Sequence, residues 1–313
     1  MSCYINPFVD YGFKKLFGTE ANKDLMIGFL NAILDNTDDP VVDLVYKNVE
    51  QIGEFNGTRA NYFDVYCETE KGRKFIVEMQ NSWKPYFKDR TLYYIAKPIR
   101  DQRLKAVAES VKGYEVKTDP EEFKNVSGKK PKWDFRLNEV CLISIMNFTF
   151  PKREYKDDEY FHKVMLSDVD DHHVFYDKLS LYYIEMPKLD KVKLRLDNPR
   201  EKWIYALYYL WRYASYPEEL KDDIFRKFYY EADIANYDMD EQLAYERSCK
   251  VYLDTYNEIE GGRILGREEG YQLGFEDGFA NCQKQLATEI AQKMKAAGLD
   301  SDVIAEITGI KDL

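Results

Sequence analysis

Residues 62–80 read YFDVYCETEKGRKFIVEMQ, and their pairing decides the fold. Strand alternation puts Asp64, Tyr66 and Glu68 on one face of a first strand and Ile76, Glu78 and Gln80 on one face of a second. A three-residue loop, Glu70-Lys71-Gly72, closes position 69 against 73 and sets Asp64 opposite Glu78, with both carboxylates on the same side. A two-residue loop would instead set Asp64 opposite Met79, on the wrong side. Gly72 stands where a three-residue hairpin wants its left-handed residue. Opposed like charges destabilise a hairpin, and the apolar run Phe75-Ile76-Val77 is a poor place for a solvated glutamate. A divalent cation between the two carboxylates is the natural compensation.

Outward from the hairpin, Asn6-Pro7 starts a short helix carrying Phe13, Leu16 and Phe17, stopped by Gly18. A second helix runs from about Asn22 to Leu34, with Leu25, Phe29, Ala32 and Ile33 at helical spacing. Strands are expected over about 41–49, 139–150 and 181–186, and a long helix over 84–107. Residues 114–132, with Pro120, Gly128 and Pro131 among many charges, read as a surface loop or a partly disordered insertion. After Pro199 the pattern turns helical, and Trp203, Leu207, Leu210 and Trp211 form a stripe suited to core packing. The order is α/β.

Gly262, Gly266, Gly270, Gly274 and Gly278 recur every four residues and trace a slow spiral if the segment is helical. Each interior glycine costs about 1 kcal/mol against alanine, so a weakly helical linker is favoured over a self-association surface, and a homo-oligomer is left open. Charged Arg267, Glu268, Glu269, Glu276 and Asp277 exclude a membrane helix pair there. Beyond it, two short helices break at Gly298, with Asp300 or Ser301 capping the second. This end resembles half of a helix-turn-helix, a motif short enough that chance matches are common.

The net charge of -11 runs against phosphate binding, but its distribution is uneven. Residues 84–105 hold seven basic side chains (Lys84, Lys88, Arg90, Lys97, Arg100, Arg103, Lys105) against Asp89 and Asp101, whereas 217–260 hold thirteen acidic ones against five basic. The basic stretch directly follows the second strand. Five cysteines without a C-x-x-C pair suggest neither a disulfide framework nor a zinc site, and a reduced, cytoplasmic setting is expected. Val140–Phe150, interrupted by Ser144 and Asn147, is too short to span a bilayer, so no membrane association is expected. His162, His172 and His173 are expected at the surface or in turns, since adjacent imidazoles on a strand cannot face one metal. No Walker loop, G-x-S-x-G or H-E-x-x-H is present.

The aspartate facing a Glu-x-Gln strand tip resembles the core of the PD-(D/E)XK nuclease superfamily, in which an aspartate and an acidic residue two positions before a lysine hold Mg²⁺. NPFVDYGFKKLFG, NKDLMIGFLNAIL, D-x13-E-x-Q, KDRTLYYIAKPIR and VFYDKLSLYYIEMPK, in that order over residues 5–260, are similar to the recombination-promoting nuclease and transposase (Rpn) family. The resemblance implies a restriction-endonuclease-like core with a mixed central sheet flanked by helices over residues 1–190. A helical extension over 191–260 and the glycine-periodic tail over 261–313 follow. It implies a metal-dependent DNA endonuclease serving recombination or transposition, with Mg²⁺ or Mn²⁺ as cofactor and DNA as partner. Asp64, Glu78 and the Met79 backbone carbonyl would hold the metal, and Asp64, Glu78, Gln80 and Asp10 would serve catalysis. Gln80 departs from the family by replacing the lysine. Lys74 or Arg90 would then supply the missing positive charge, and Lys74, Arg90 and Tyr94 would contact DNA. The departure also leaves open a degenerate nuclease fold that binds DNA or a protein without cutting.

Overall fold

The computed structural model describes residues 3–35, 37–47, 50–51, 61–62, 64–112, 135–151, 154–212 and 217–310. Eight strands and seven α-helices occur among them: α1 (Asp10–Phe17), α2 (Lys23–Leu34), β1 (Val45–Tyr46), β2 (Glu50–Gln51), β3 (Asn61–Tyr62), β4 (Val65–Glu68), β5 (Lys74–Gln80), α3 (Phe87–Lys112), β6 (Val140–Met146), β7 (Phe161–Ser167), β8 (Val174–Glu185), α4 (Pro199–Tyr209), α5 (Asp223–Ala232), α6 (Met239–Ala296) and α7 (Ser301–Thr308). Six strands form a mixed sheet in the order β1-β4-β5-β6-β8-β7, and β2 pairs with β3 separately. The central strands β5, β6 and β8 run parallel, and the flanking pairs are antiparallel. With helices packed around it, this is a restriction-endonuclease-like α/β fold followed by a helical C-terminal region.

The hairpin takes the three-residue-loop register: Val65 faces Val77 and Glu68 faces Lys74. Thr69 N–H donates to the Arg73 carbonyl at 3.0 Å and closes the turn. Gly72 has φ +81°, a left-handed conformation that favours glycine, and a Cβ there would lie 2.3 Å from Asn138 Nδ2, so the Asn138 amide would have to shift. β5 and β6 are buried almost throughout, as strands covered on both faces are, which makes Lys74, Glu78 and Ser144 the exceptions in chemistry. α3 covers one face of the sheet. There Phe87, Tyr94 and Ile95 pack with Tyr66, Ile76, Leu142, Met146, Leu181 and Tyr183, and by strand parity Glu78 shares the face of Ile76.

A second core forms where α1 and α2 meet α4 and α5. Phe17 and Phe29 lie 5.3 Å apart by ring centroid, Trp203 is 6.0 Å from Phe17, and Phe225 is 4.8 Å from Trp203. Phe13, Phe17, Phe29 and Phe228 are fully buried, each worth about 1.5–3 kcal/mol of burial. Asn198 caps α4, its side chain accepting from the Arg200 and Glu201 N–H groups, with Pro199 at the first helical position. The helices after residue 190 therefore complete the same unit, Met1–Ser248, rather than extending from it.

Several expectations shift. The strand read over 41–49 shrinks to β1, residues 48–49 lying outside the described ones. β7 and the first half of β8 were not anticipated, because their outer residues are polar or exposed and carry a register shift at Met165–Ser167. The insertion read over 114–132 lies outside the described residues. The second unit, Cys249–Leu313, contains most of α6, so the segment read as a weakly helical linker is helix throughout. Local pairs support it: Glu260 with Arg263, Gln272 with Glu276, Phe275 stacked on Phe279, and Glu289 with Lys293. Gly298 has φ +82° after the helix, and Asp300 caps α7 by accepting from Asp302 N–H. No helix among the described residues is long and apolar enough to cross a membrane.

Candidate active site

Asp64 immediately precedes β4, and its Oδ2 accepts the Met79 N–H at 2.6 Å. That contact extends the hairpin by one side chain where the ladder has ended. It also orients Met79: the Arg73 carbonyl and the Met79 N–H both point toward β4, while the Gln80 carbonyl accepts from Asn147 N–H on the β6 side. A strand residue sends its N–H and C=O to the same side, so the Met79 carbonyl faces Asp64 as well. Glu78 is 2% exposed, and its Oε2 accepts from Gln80 Nε2 at 3.0 Å. Its Oε1 is buried and finds no hydrogen-bond partner among the described residues.

Both carboxyls titrate upward. Burial pushes Asp64 up to about 6; the Met79 N–H opposes this, Asp10 adds to it, and Lys14 and Arg90 reduce it. Burial pushes Glu78 up to about 8, reinforced by the charge of Asp64 and partly offset by Arg90 and the Gln80 amide. The larger upward push falls on Glu78, so the proton that the pair holds more tightly sits there.

α3 supplies the roof. Arg90 Nε donates to the Tyr94 hydroxyl at 2.6 Å, and the guanidinium lies 5.0 Å from the Tyr94 ring centroid. Tyr94 packs with Tyr66 and Ile76, on the sheet face that Glu78 shares by strand parity, and its hydroxyl is pushed up by burial and by the Glu78 charge, with Arg90 opposing. One residue on, the Thr91 hydroxyl donates to the Lys88 carbonyl and lies 2.7 Å from the Tyr183 hydroxyl. Asp10 begins α1, paired with Lys14 at 2.8 Å and largely exposed. The Asn81 amide donates to the Phe8 carbonyl at 2.6 Å, tying the residue after β5 to the segment entering α1.

Lys74 is corrected by its position. It begins β5, about 20 Å along the strand from Gln80, and its buried ammonium donates to Glu68 Oε1 at 3.3 Å and the Gly72 carbonyl at 3.0 Å. From there it cannot face Gln80, and of the two candidates Arg90 is the one whose charge acts on both carboxyls, with Lys14 acting on Asp64 as well. Further along α3, Arg100 and Arg103 are exposed. His162 is also corrected: it is 8% exposed in β7, with Nε2 2.6 Å from Glu185 Oε1. His173 does sit in a turn, grouped with Asp168 and Asp171 within 4.8 Å, where Asp168 accepts from local N–H groups as turn residues do.

Sequence reasoning missed Thr91, Ser144, Tyr183 and Glu185. Ser144 had a visible signal, a single hydroxyl in VCLISIM at the row that pairs with Glu78. The other three gain meaning only from cross-strand contacts.

The geometry meets one finding from outside the chain: a family described as PD-(D/E)XK nuclease family transposase matches residues 7–262. No curated protein and no solved structure matches.

Proposed function

The chain belongs to the PD-(D/E)XK nuclease family transposases, and on that premise we propose that it is a metal-dependent DNA endonuclease using Mg²⁺ or Mn²⁺. The observation that carries this reading is the buried pair itself, in which Glu78 Oε1 is left without a partner beside a second carboxylate. Such an oxygen costs about 1–3 kcal/mol unless something fills it. The donors are all hard oxygens: the Asp64 and Glu78 carboxylates and the Met79 carbonyl, the set that Mg²⁺ accepts while keeping several waters. They fit the cation.

Bound there, the cation supplies Lewis acidity toward water and toward the phosphate oxygens. The chain does the rest. Asp64 and Glu78 hold the charge, and the Met79 N–H fixes the Asp64 carboxylate. Gln80 donates to Glu78 through its amide nitrogen, leaving its amide oxygen to orient the attacking water. The Arg90 guanidinium offers the positive charge that the family's lysine would give, and Asp10, whose charge acts on Asp64, would join the metal's shell through a water. Exposed Arg100 and Arg103 extend a basic track along α3 for the phosphate backbone. The non-cutting reading draws on Gln80, but Arg90 at the site weighs for cleavage.

Supercoiled plasmid incubated with the protein and Mg²⁺ or Mn²⁺ should be nicked and linearised, and Asp64→Ala and Glu78→Ala should each slow this about a thousandfold or more. Wild-type-like nicking by either variant would remove that residue from the mechanism. DNA binding without cleavage under both cations would establish the non-cutting reading instead.

A further inference from the structure

The row of the sheet that carries Glu78 holds a second orphan. β5 and β6 pair Glu78 with Ser144 in parallel register, and β6 and β8 pair Ser144 with Tyr183, so the three side chains stand side by side on the face beneath α3. Tyr183 is satisfied by Thr91 at 2.7 Å. Ser144 is not: it is 0% exposed, and its Oγ finds no partner among the described residues. Glu78 Oε1, one strand away, is in the same condition. Buried side-chain polar atoms are in large majority hydrogen-bonded, so two unsatisfied neighbours in one row call for a common explanation.

We propose that Ser144 is a positioning residue for the metal site, its hydroxyl donating to Glu78 Oε1 when Glu78 holds a divalent cation. The inference rests on the cation reading above. An apolar residue would pack better at this central position of an otherwise apolar strand, and a hydroxyl there earns its place only in a state where Oε1 needs a donor. Adjacent parallel strands lie about 4.8 Å apart, within reach of a serine–glutamate contact after a side-chain rotation. Gln80 already donates to Oε2, so Ser144 would complete the clamp from the other side. Ser144 acts through Glu78 and touches neither DNA nor the reacting phosphate.

The test is cation binding to the full chain, measured by calorimetry with Mn²⁺ alone for wild type, Ser144→Ala and Ser144→Thr, together with metal-free melting. Hydrogen bonds to charged groups are strong, so Ser144→Ala should weaken Mn²⁺ binding about tenfold or more. Its metal-free melting temperature should stay level or rise, because an unsatisfied hydroxyl has been removed. Ser144→Thr, which keeps the hydroxyl, should bind more tightly than Ser144→Ala. A merely structural serine would lower the metal-free melting temperature and leave the affinity of the folded protein unchanged. Wild-type affinity in Ser144→Ala would overturn the inference while leaving the cation site intact. Absent Mn²⁺ binding by the wild type would instead overturn the cation reading beneath it.

Discussion

Two glutamates stand near the C-terminal ends of two parallel strands, on the same face of the sheet, and they could hardly be treated more differently. Glu185 on β8 is fully buried and fully answered: Oε1 accepts from Lys188 at 2.7 Å and lies 2.6 Å from His162 Nε2, while Oε2 accepts from Phe150 N–H at 2.7 Å. Lys188 in turn donates to the Lys156 and Glu159 carbonyls. Burial alone would push the Glu185 carboxyl up, but the hydrogen bonds from His162, Lys188 and Phe150 hold it below the usual carboxylate range. Glu78 on β5, equally out of water, has one amide donor, an aspartate beside it and a bare oxygen. Burial by itself is therefore not the signature of a site. A buried carboxylate whose charge is provided for locks the fold, and one whose charge is left unprovided for is the place where we propose the cation binds.

That contrast can be broken most severely by deletion. Glu185→Ala strands Lys188 in a buried pocket and should cost about 3–5 kcal/mol of stability, read from denaturant unfolding in a chelator. Glu78→Ala under the same conditions should be neutral or stabilising, because it removes a strained group. The reverse ranking would end the comparison. The pH dependence has opposite signs. The Glu185 carboxyl is lowered, so its stabilisation is present above the unfolded value near 4.3 and is lost as pH falls through the folded value. The Glu78 carboxyl is raised to about 8, so metal-free stability is greatest below about 4.3 and declines as pH rises toward 8. Glu78→Gln should flatten that alkaline decline.

Smaller effects sharpen the comparison by asking where the site's positive charge comes from. If α3 carries the phosphate track, replacing Arg100 and Arg103 with glutamine should weaken DNA binding about tenfold at low salt. The slope of log affinity against log salt should drop by about 2, equally for unrelated sequences. An unchanged slope would move DNA to another surface. Gln80→Lys should be folded and raise cleavage a few-fold, on the order of 2–5, since an ammonium beside Glu78 restores the family's cation. Loss of cleavage at normal metal affinity would show that the amide makes a contact an ammonium cannot.

How much of this was legible in the sequence depends on the range of the interaction. The β4–β5 register followed from loop length and Gly72, both local, and residues Thr69 to Lys74 obey it. α1 and α2 were readable from their apolar spacing and from Gly18. The Lys74 assignment failed because strand parity gives the face but not the distance: it shares a face with Gln80 and sits at the other end of β5. His162 and β7 were missed because an exposed edge strand has no alternation to read, and the histidine is satisfied only by a glutamate 23 residues away. The glycine-periodic segment reads as only weakly helical because propensity weighs each glycine by itself, whereas in the structure it is helix throughout, with i,i+3 and i,i+4 pairs along it. Arg90 was one of two candidates in the sequence, and only packing of α3 over β5 separates it from Lys74.

If Glu78 keeps its proton until a divalent cation replaces it, binding must release that proton, and the release can be counted. Calorimetric titration of the metal-free protein with Mn²⁺ at pH 7, in two buffers of different ionisation enthalpy, should report release of about one proton per cation bound. The affinity should rise about tenfold per pH unit between 6 and 8 and level off above, as expected for displacement of a proton held at about 8. Binding that releases no proton, that is flat across this range, or that persists unchanged in Glu78→Gln would rule out an exchange of proton for cation at Glu78.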